Sequence, residues 1–199
     1  MTLDLDNEVE FELLGWPEDG PTLDLDHEAF AYAGKFVTPR TGKAVAHLVS
    51  GRPDGSDGWT TNEIVGAICF NEDRGVENAL RIRYVTIRAD CRGERIGPRL
   101  AAFLRVRARA RSYQRVRIAV NHPAAYEALY RAGFEYTGEE TGIAELVLEA
   151  PPPAGQSAER YREGLVEFAD RDLPERQQAV VKRGRARGPP SPVAAPNEL

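Results

Sequence analysis

The N-terminal segment alternates between apolar and acidic positions. Over residues 3–13 one set of alternate positions is apolar and the other is acidic: Leu3, Leu5, Val9, Phe11 and Leu13 against Asp4, Asp6, Glu8, Glu10 and Glu12. A period of two with one acidic face predicts a half-buried β-strand. Glycine and proline at residues 15–21 predict a turn. Asp26 is placed to cap a short helix that runs through Val37.

Further along, apolar and β-branched runs alternate with two segments of helical periodicity. Apolar residues at helical spacing begin near Ile96 and again at Pro123, and Gly133 is placed to end the second helix. Residues 51–62 form a polar segment rich in Gly and Asp, which indicates a loop. The apolar runs predict strands over residues 43–50, 63–71, 79–89, 114–120, 134–137 and 144–149. This order predicts an α/β chain with one mixed sheet.

The pattern changes at three consecutive prolines, residues 151–153, where the domain of residues 1–150 is expected to end. Residues 151–183 are interpreted as a helical C-terminal extension, because Tyr161, Leu165 and Phe168 recur at helical spacing. This stripe is expected to dock on the core. Residues 184–199 are rich in Pro, Arg and Ala and are interpreted as a disordered tail.

Composition and charge restrict the class of protein. The chain has 199 residues, of which 42% are hydrophobic, and no apolar run approaches the length of a membrane span. The acidic N-terminus lacks the features of a secretory signal. Two cysteines cannot form a disulfide framework and fit the reducing cytoplasm, so we expect a cytoplasmic protein that uses neither a membrane nor a metal.

The net charge of −5 hides a strong asymmetry along the chain. Residues 1–34 hold ten acidic residues and no Lys or Arg, whereas residues 81–118 hold twelve Arg against Asp90 and Glu94. An acidic protein with one basic segment is not expected to bind nucleic acid. It can hold a small polyanion, such as the phosphates of a coenzyme.

The stretch from Tyr84 to Leu100 carries the strongest chemical signal. A β-branched strand leads into RGERIG, residues 92–97, and directly into a helix. Such a turn aims several main-chain N–H groups and the positive end of a helix at one point, which suits a diphosphate. Glycine at 93 and 97 lets the main chain approach a ligand, and Arg92, Arg95 and Arg99 can add charge. An ordinary βα turn with solvated arginines is the alternative.

These residues also carry a family resemblance. RGERIGPRL after a β-branched strand resembles the acyl-CoA-binding motif of the GNAT family of N-acetyltransferases, whose signature is Arg/Gln-x-x-Gly-x-Gly/Ala. The segment from Asn121 to Phe134 resembles a second motif of that family, N-x-x-A-x-x-x-Y-x-x-x-G-F, with altered spacing. The resemblance is good over residues 60–149 and weak before them. Arg95 departs from the signature, because it stands where the family has its central glycine.

The resemblance implies a fold, a coenzyme and a binding site. The implied fold is a mostly antiparallel mixed sheet flanked by helices, and the implied acyl donor is acetyl-CoA. In this family the strand before the turn and the next strand splay apart around the pantetheine arm. Carried onto this chain, the coenzyme-binding residues are Val85, Thr86, Ile87, Arg92, Gly93, Glu94, Arg95, Ile96, Gly97 and Pro98.

The catalytic groups implied by the resemblance are less sharply defined. Tyr130 falls at the family's general-acid position, where a phenol can protonate the departing thiolate; a core aromatic is the alternative, and Tyr126 is the second candidate. Asn121 can bond pantetheine or substrate, or can cap the following helix. No general base is identified: the carboxylates and imidazole near the site, each more typical of a surface group, are Glu72, Asp73, Asp90 and His122.

The sequence therefore predicts an acyltransferase. The predicted reaction moves an acetyl group from acetyl-CoA to the amine of a small molecule or peptide, directly in a ternary complex. A non-catalytic CoA-binding regulatory module on the same fold is the alternative. The acidic N-terminal region favours a cationic acceptor, and the protein is expected to be a monomer or homodimer.

Overall fold

The computed structural model describes residues 8–49 and 63–196, and within them the chain forms one mixed sheet. Seven strands lie in the spatial order β1-β2-β3-β4-β5-β7-β6, and all neighbours are antiparallel except β4 and β5. The strands are β1 (Val9–Gly15), β2 (Gly42–Leu48), β3 (Ile64–Glu72), β4 (Ala79–Ile87), β5 (Arg115–Val120), β6 (Glu135–Glu140) and β7 (Leu146–Ala150). The mixed, mostly antiparallel sheet expected from the sequence is confirmed.

Four α-helices accompany the sheet in the described residues. They are α1 (Ile96–Ala110), α2 (Pro123–Arg131), α3 (Ala158–Ala169) and α4 (Glu175–Arg187). Short 3-10 helices occupy Ala33–Lys35 and Ala89–Cys91. None of the helices in this part of the chain has the length and apolar character to cross a membrane.

The sheet has a hydrophobic layer on each face, as alternation along its strands requires. On one face α1 packs with Leu100, Phe103 and Leu104 fully buried against strand residues such as Ile68. The other face, over β2 to β4, is covered by the segment of residues 23–36. The buried members of that second layer are Leu23, Leu25, Phe30, Ala33, Phe36, Val45, Ile64, Ala67 and Cys69.

The N-terminal segment agrees with its sequence pattern only in part. Val9 and Phe11 are buried and Glu10 is exposed, as the alternation predicts, while residues 1–7 lie outside the described residues. The helix predicted from Asp26 to Val37 is wrong. Asp26 Oδ1 accepts a hydrogen bond from the N–H of Glu28 and so caps a single turn, and Tyr32 then takes a left-handed conformation at φ 61° that interrupts any helix.

The boundaries from residue 79 onward follow the sequence closely. α1 begins at Ile96, and α2 ends in a Schellman motif in which Gly133, at φ 86°, donates to the carbonyl of Tyr130 and Phe134 donates to that of Leu129. The loop predicted over residues 51–62 lies outside the described residues.

The C-terminal extension packs against the rest of the molecule. The predicted stripe of Tyr161, Leu165 and Phe168 is fully buried in the main core, with α3 against β6 and α4 against α2. One boundary of the predicted tail is corrected, because α4 continues through residues 184–187. Beyond the helix, the N–H of Val193 donates to the carbonyl of Arg131, and Ala195 is buried.

Candidate active site

The candidate site begins where β4 and β5 separate. These parallel strands pair only through residues 79–81 and 115–117, although β4 runs on to Ile87 and β5 to Val120. β5 remains paired with β7 along its length, and β4 remains paired with β3. The two strands therefore diverge beyond Arg81 and Arg117, and the sheet has a gap between them.

The hydrogen bonds of β4 show which main-chain groups face this gap. The N–H of Arg88 donates to the carbonyl of Val65 on β3 at 2.9 Å, so its polar groups point away from the gap. Because main-chain groups alternate in direction along a strand, the N–H and C=O groups of Val85 and Ile87 point into the gap. The side chain of Thr86 lies on the face opposite α1. Its Oγ1 is buried without a hydrogen-bond partner among the described residues.

A β-bulge marks the point at which β4 leaves β5. Cys69 pairs with Tyr84 and Phe70 with Ile82, so Arg83 is an extra residue in β4. Arg83 lies two residues after Arg81, which is the last residue of β4 that pairs with β5. A bulge re-aims the main chain locally. No local sequence pattern predicts this bulge, because Arg83 continues the alternation of its strand.

The turn after β4 leaves six main-chain donors unused. The N–H groups of residues 92–97 donate no hydrogen bond to any described part of the chain, and Pro98 has no N–H to satisfy. Arg92, Gly93 and Arg95 are exposed, whereas Ile96 and Pro98 are buried and anchor the start of α1. Free N–H groups at a helix N-terminus form an anion-binding site. The arrangement suits a diphosphate.

This geometry agrees with the comparison of the sequence with known families. Residues 10–134 match the model of the acetyltransferase (GNAT) family. The chain belongs to the GNAT acetyltransferase family. The match begins well before the region in which the two motifs lie, so the family resemblance is confirmed and extends through β1 to β3. No curated protein sequence matches the chain.

Several solved acetyltransferase structures are similar to the chain at low identity. The chain is similar to nourseothricin acetyltransferase, with 17% identity, a TM-score of 0.47, and 73% of this chain and 99% of that one covered. It is similar to a Bacillus subtilis acetyltransferase in complex with CoA, with 13% identity, a TM-score of 0.49, and coverage of 71% and 97%. It is also similar to an IAA acetyltransferase from Bacillus cereus, with 19% identity and a TM-score of 0.47; the match covers 71% of this chain and 97% of that one.

The turn explains the glycine preference of the GNAT signature. Arg95, at the central glycine position, has φ 61° and ψ 17°, the left-handed region that glycine enters without steric cost. Gly93, at φ 95°, also needs glycine, and a Cβ there would meet open space. Gly97 differs, because a Cβ there would make an ordinary contact with Ile87 Cγ1 at 3.6 Å. The protein fold itself therefore tolerates a methyl group at residue 97.

The charges beside the turn are mostly positive. Arg88 Nε donates to Asp90 Oδ1 at 2.7 Å, and this hydrogen bond lowers the pKa of Asp90. A carboxylate held in this way is a weak general base. Arg92 Nε lies 3.4 Å from the carbonyl oxygen of Ile87, which keeps its guanidinium at the open end of the gap.

Asn121 and His122 follow β5 and stand at the end of the gap next to the turn, since β4 and β5 are parallel. His122, not Asn121, caps α2: its Nδ1 accepts from the N–H of Ala125 at 3.2 Å. The capping alternative considered for Asn121 is therefore wrong. Asn121 is exposed, and its carbonyl oxygen accepts from Arg171 at 3.4 Å. Partial desolvation lowers the pKa of His122, so its imidazole is neutral at pH 7.

The structure places Tyr130 away from the gap. Its side chain is fully buried, and its hydroxyl accepts from the N–H of Tyr136 on β6 at 3.0 Å. β6 is separated from β5 by β7, which puts this hydroxyl roughly 10 Å beyond β5 at the usual strand spacing. Burial raises the pKa of Tyr130 to about 12. The general-acid role stays a prediction, and the burial of Tyr130 agrees with the alternative of a core aromatic.

Tyr126, the second candidate, is also part of the core. Its hydroxyl donates to the carbonyl of Tyr161 on α3 at 3.1 Å, and its side chain is fully buried. Burial raises its pKa far above the usual value. The spacing of residues on α2 did not reveal this, because the partner ring belongs to an extension that the family motif does not include.

Two further carboxylates lie at the closed end of β4. Glu72 accepts from the hydroxyl of Tyr113 at 2.9 Å. Asp73 forms ion pairs with Arg81 at 3.7 Å and Arg117 at 3.9 Å, where the two strands are still joined. The turn lies about 26 Å along β4 from this end. Both groups help hold the strands together where the gap begins.

Proposed function

We propose that this GNAT protein transfers an acetyl group from acetyl-CoA to an amine in a ternary complex. One observation supports this most directly: the gap between β4 and β5 opens onto a turn whose six N–H groups have no partner in the described chain. A diphosphate with an extended amide-bearing arm fits both features at once.

Each part of acetyl-CoA has a matching part of the proposed site. The turn of residues 92–97 binds the diphosphate through its N–H groups, and Arg92 and Arg95 add charge. Pantetheine carries two amide groups, which can pair with Val85 and Ile87 as an added strand would. The thioester then lies near the bulge at Arg83, where β4 leaves β5.

The reaction needs little from side chains beyond this binding. The neutral amine attacks the thioester carbonyl, a carbon–nitrogen bond forms, and the carbon–sulfur bond breaks as the tetrahedral intermediate collapses. Main-chain N–H groups facing the gap stabilise the oxyanion. The amine loses one proton and the CoA thiolate gains one. Asn121 and the neutral His122 are the polar side chains that follow β5 at the open end of the gap.

Two measurements test this proposal. Isothermal titration with CoA should give saturable binding, and acetyl-CoA with a panel of amines should release free CoA thiol. The double variant Arg92→Ala/Arg95→Ala should weaken CoA binding by roughly tenfold and leave binding of pantetheine, which lacks the diphosphate, unchanged. Arg109→Ala, an exposed arginine on the far part of α1, is the matched control. Equal binding of CoA by wild type and double variant would reject the turn as the diphosphate site.

A non-catalytic CoA-binding module is the second candidate, and the burial of Tyr130 favours it. With that hydroxyl bonded to Tyr136, no side-chain acid is identified at the gap among residues 8–49 and 63–196. CoA binding without thiol release on any amine would support the module. Thiol release that depends on the amine would support the transferase.

A further inference from the structure

Next to the bulge, two aromatic rings and two exposed cations lie at the face of β4 opposite α1, and a third cation, Lys43, is buried behind them. Tyr84 is half-buried there, and the ring of Tyr32 lies 5.7 Å from it. Tyr32 is 61% exposed, and its left-handed backbone is uncommon for a bulky residue. The pair forms an open aromatic surface one residue from Val85, whose main chain faces the gap.

The cations at this surface have no acidic partner among the described residues. Lys35 Nζ lies 6.0 Å from the centre of the Tyr84 ring, and no carboxylate pairs with it. Arg83, on the bulge, is exposed and likewise has no ion pair in this part of the chain. Lys43 is fully buried on β2 and donates only to neutral groups, the carbonyls of Thr38 and Thr41 at 3.1 and 3.0 Å and the hydroxyl of Thr41.

Lys43 and Arg83 both act on the part of the sheet around Cys69 and Tyr84. Lys43 pairs in register with Cys69, which in turn pairs with Tyr84. Burial raises the pKa of the Cys69 thiol, and the positive charges of Lys43 and Arg83 act in the opposite direction. Burial lowers the pKa of Lys43, so the exposed positive charge beside the reacting end of the gap comes from Lys35 and Arg83, although the protein as a whole is acidic.

Two acidic residues of the N-terminal region lie away from the bulge. Glu10 and Glu12 are on β1, near His47, three strands or about 14 Å from β4. The N–H of Ala89 donates a hydrogen bond to the carbonyl of Ala29, which holds the turn of Asp26 and Glu28 beside Ala89. Lys35 and Arg83, rather than Glu10 and Glu12, flank the two tyrosine rings.

We propose that the acceptor is an amine that also carries a carboxylate, an amino acid or short peptide with an apolar or aromatic body, and that Tyr32, Tyr84, Lys35 and Arg83 bind it. The carboxylate pairs with Lys35 and Arg83, and the body packs on the two tyrosine rings. The amine is then directed to the thioester beside the bulge. This inference rests on the proposed acetyl transfer.

Matched amines test this acceptor class. Phenylalanine, phenylalaninamide and phenethylamine, and the dipeptide Gly-Phe with its amide, are compared as acceptors by the rate of CoA thiol release. The carboxylate form should have the higher kcat/KM in each set. In Lys35→Gln and Arg83→Gln, that preference should fall by roughly three- to tenfold while kcat/KM for the amides stays constant. Lys182→Gln and Arg109→Gln, exposed cations on α4 and α1, are the matched controls.

Binding to the CoA-saturated protein gives a readout that does not need turnover. Calorimetry should show that phenylalanine and Gly-Phe bind more tightly than their amides, and Lys35→Gln should remove the difference. This result without thiol release would reject the transferase and keep the carboxylate site. Equal or tighter binding and turnover of the amides or of spermidine, or no binding of any of these amines, would overturn the inference.

Discussion

Arg95 combines two opposing effects in one residue of the turn. Its left-handed backbone costs roughly 1 kcal/mol relative to glycine, and its exposed guanidinium adds charge where the diphosphate is proposed to bind. Arg95→Gly should therefore raise the free energy of unfolding by up to ~1 kcal/mol and weaken CoA binding several-fold. Urea denaturation and calorimetry measure the two effects. Arg95→Ala, which keeps a side chain on the left-handed backbone, should weaken CoA binding without raising the free energy of unfolding. Equal stability of the Gly and Ala variants would contradict this account.

His122 has a structural role that can be separated from its chemistry. Because its Nδ1 caps α2, His122→Ala should lower the free energy of unfolding by about 1 kcal/mol at pH 7. His122→Asn should retain the cap and stay within a few tenths of a kcal/mol of wild type. Denaturant melts of the three proteins measure this, and an equal loss in both variants would exclude the capping role.

The lowered pKa of His122 also predicts a pH dependence. Desolvation places the folded-state pKa below the unfolded value of about 6.5, so below that pH the unfolded chain takes up its proton first. His122 therefore costs stability as the pH falls through about 6.5 toward the folded pKa. The stability lost between pH 7 and pH 5 should be smaller in His122→Asn than in wild type, and an equal or larger loss would contradict the assignment.

Tyr130 tests whether a family motif or the local packing decides a residue's role. Tyr130→Phe removes the acceptor of a buried N–H group, that of Tyr136, and should cost about 1–3 kcal/mol of stability. At a temperature where both proteins are folded, kcat should stay within about twofold of wild type, since the hydroxyl lies away from the gap. Unchanged stability with a large fall in kcat would restore Tyr130 as the general acid.

At the scale of elements, the C-terminal extension completes the core around α2. Gly164 on α3 lies against Tyr126, and a Cβ there would be 2.7 Å from the ring carbon Cζ. Gly164→Ala should lower the free energy of unfolding by about 1–3 kcal/mol, although alanine favours helices over glycine. Gly142→Ala, where a Cβ meets nothing within 4 Å, is the matched control in the same urea melts. Stability equal to the control would show that α3 does not pack as described.

The elements differ in how well the sequence predicted them. The strands and helices from residue 79 onward were predicted within a few residues, because strong periodicity agrees there with glycine and proline positions. The helix from Asp26 was wrong because Tyr32 adopts a left-handed conformation that no local residue type signals. The C-terminal stripe of Tyr161, Leu165 and Phe168 predicted docking, and its partner, α2, became evident only from the fold.

At the scale of the whole molecule, the sequence predicted the site through the residues of the turn. Arg92 to Gly97 are contiguous, so the strand–turn–helix pattern alone places their N–H groups together. The gap, the bulge at Arg83 and the cations around Tyr84 depend on pairing between distant strands, which a local pattern does not contain. The packing of Tyr130 was not predictable for the same reason, because it depends on β6 and α3, which the motif does not include.

The central claim is that the N–H groups of residues 92–97 bind the diphosphate of CoA. Titration of the ¹⁵N-labelled protein with CoA, followed by amide NMR, tests this most directly. The amide resonances of residues 92–97 should shift saturably with CoA and little with pantetheine, while that of Gly142 stays in place as an internal control. Saturating CoA that leaves the resonances of residues 92–97 unmoved would contradict the account.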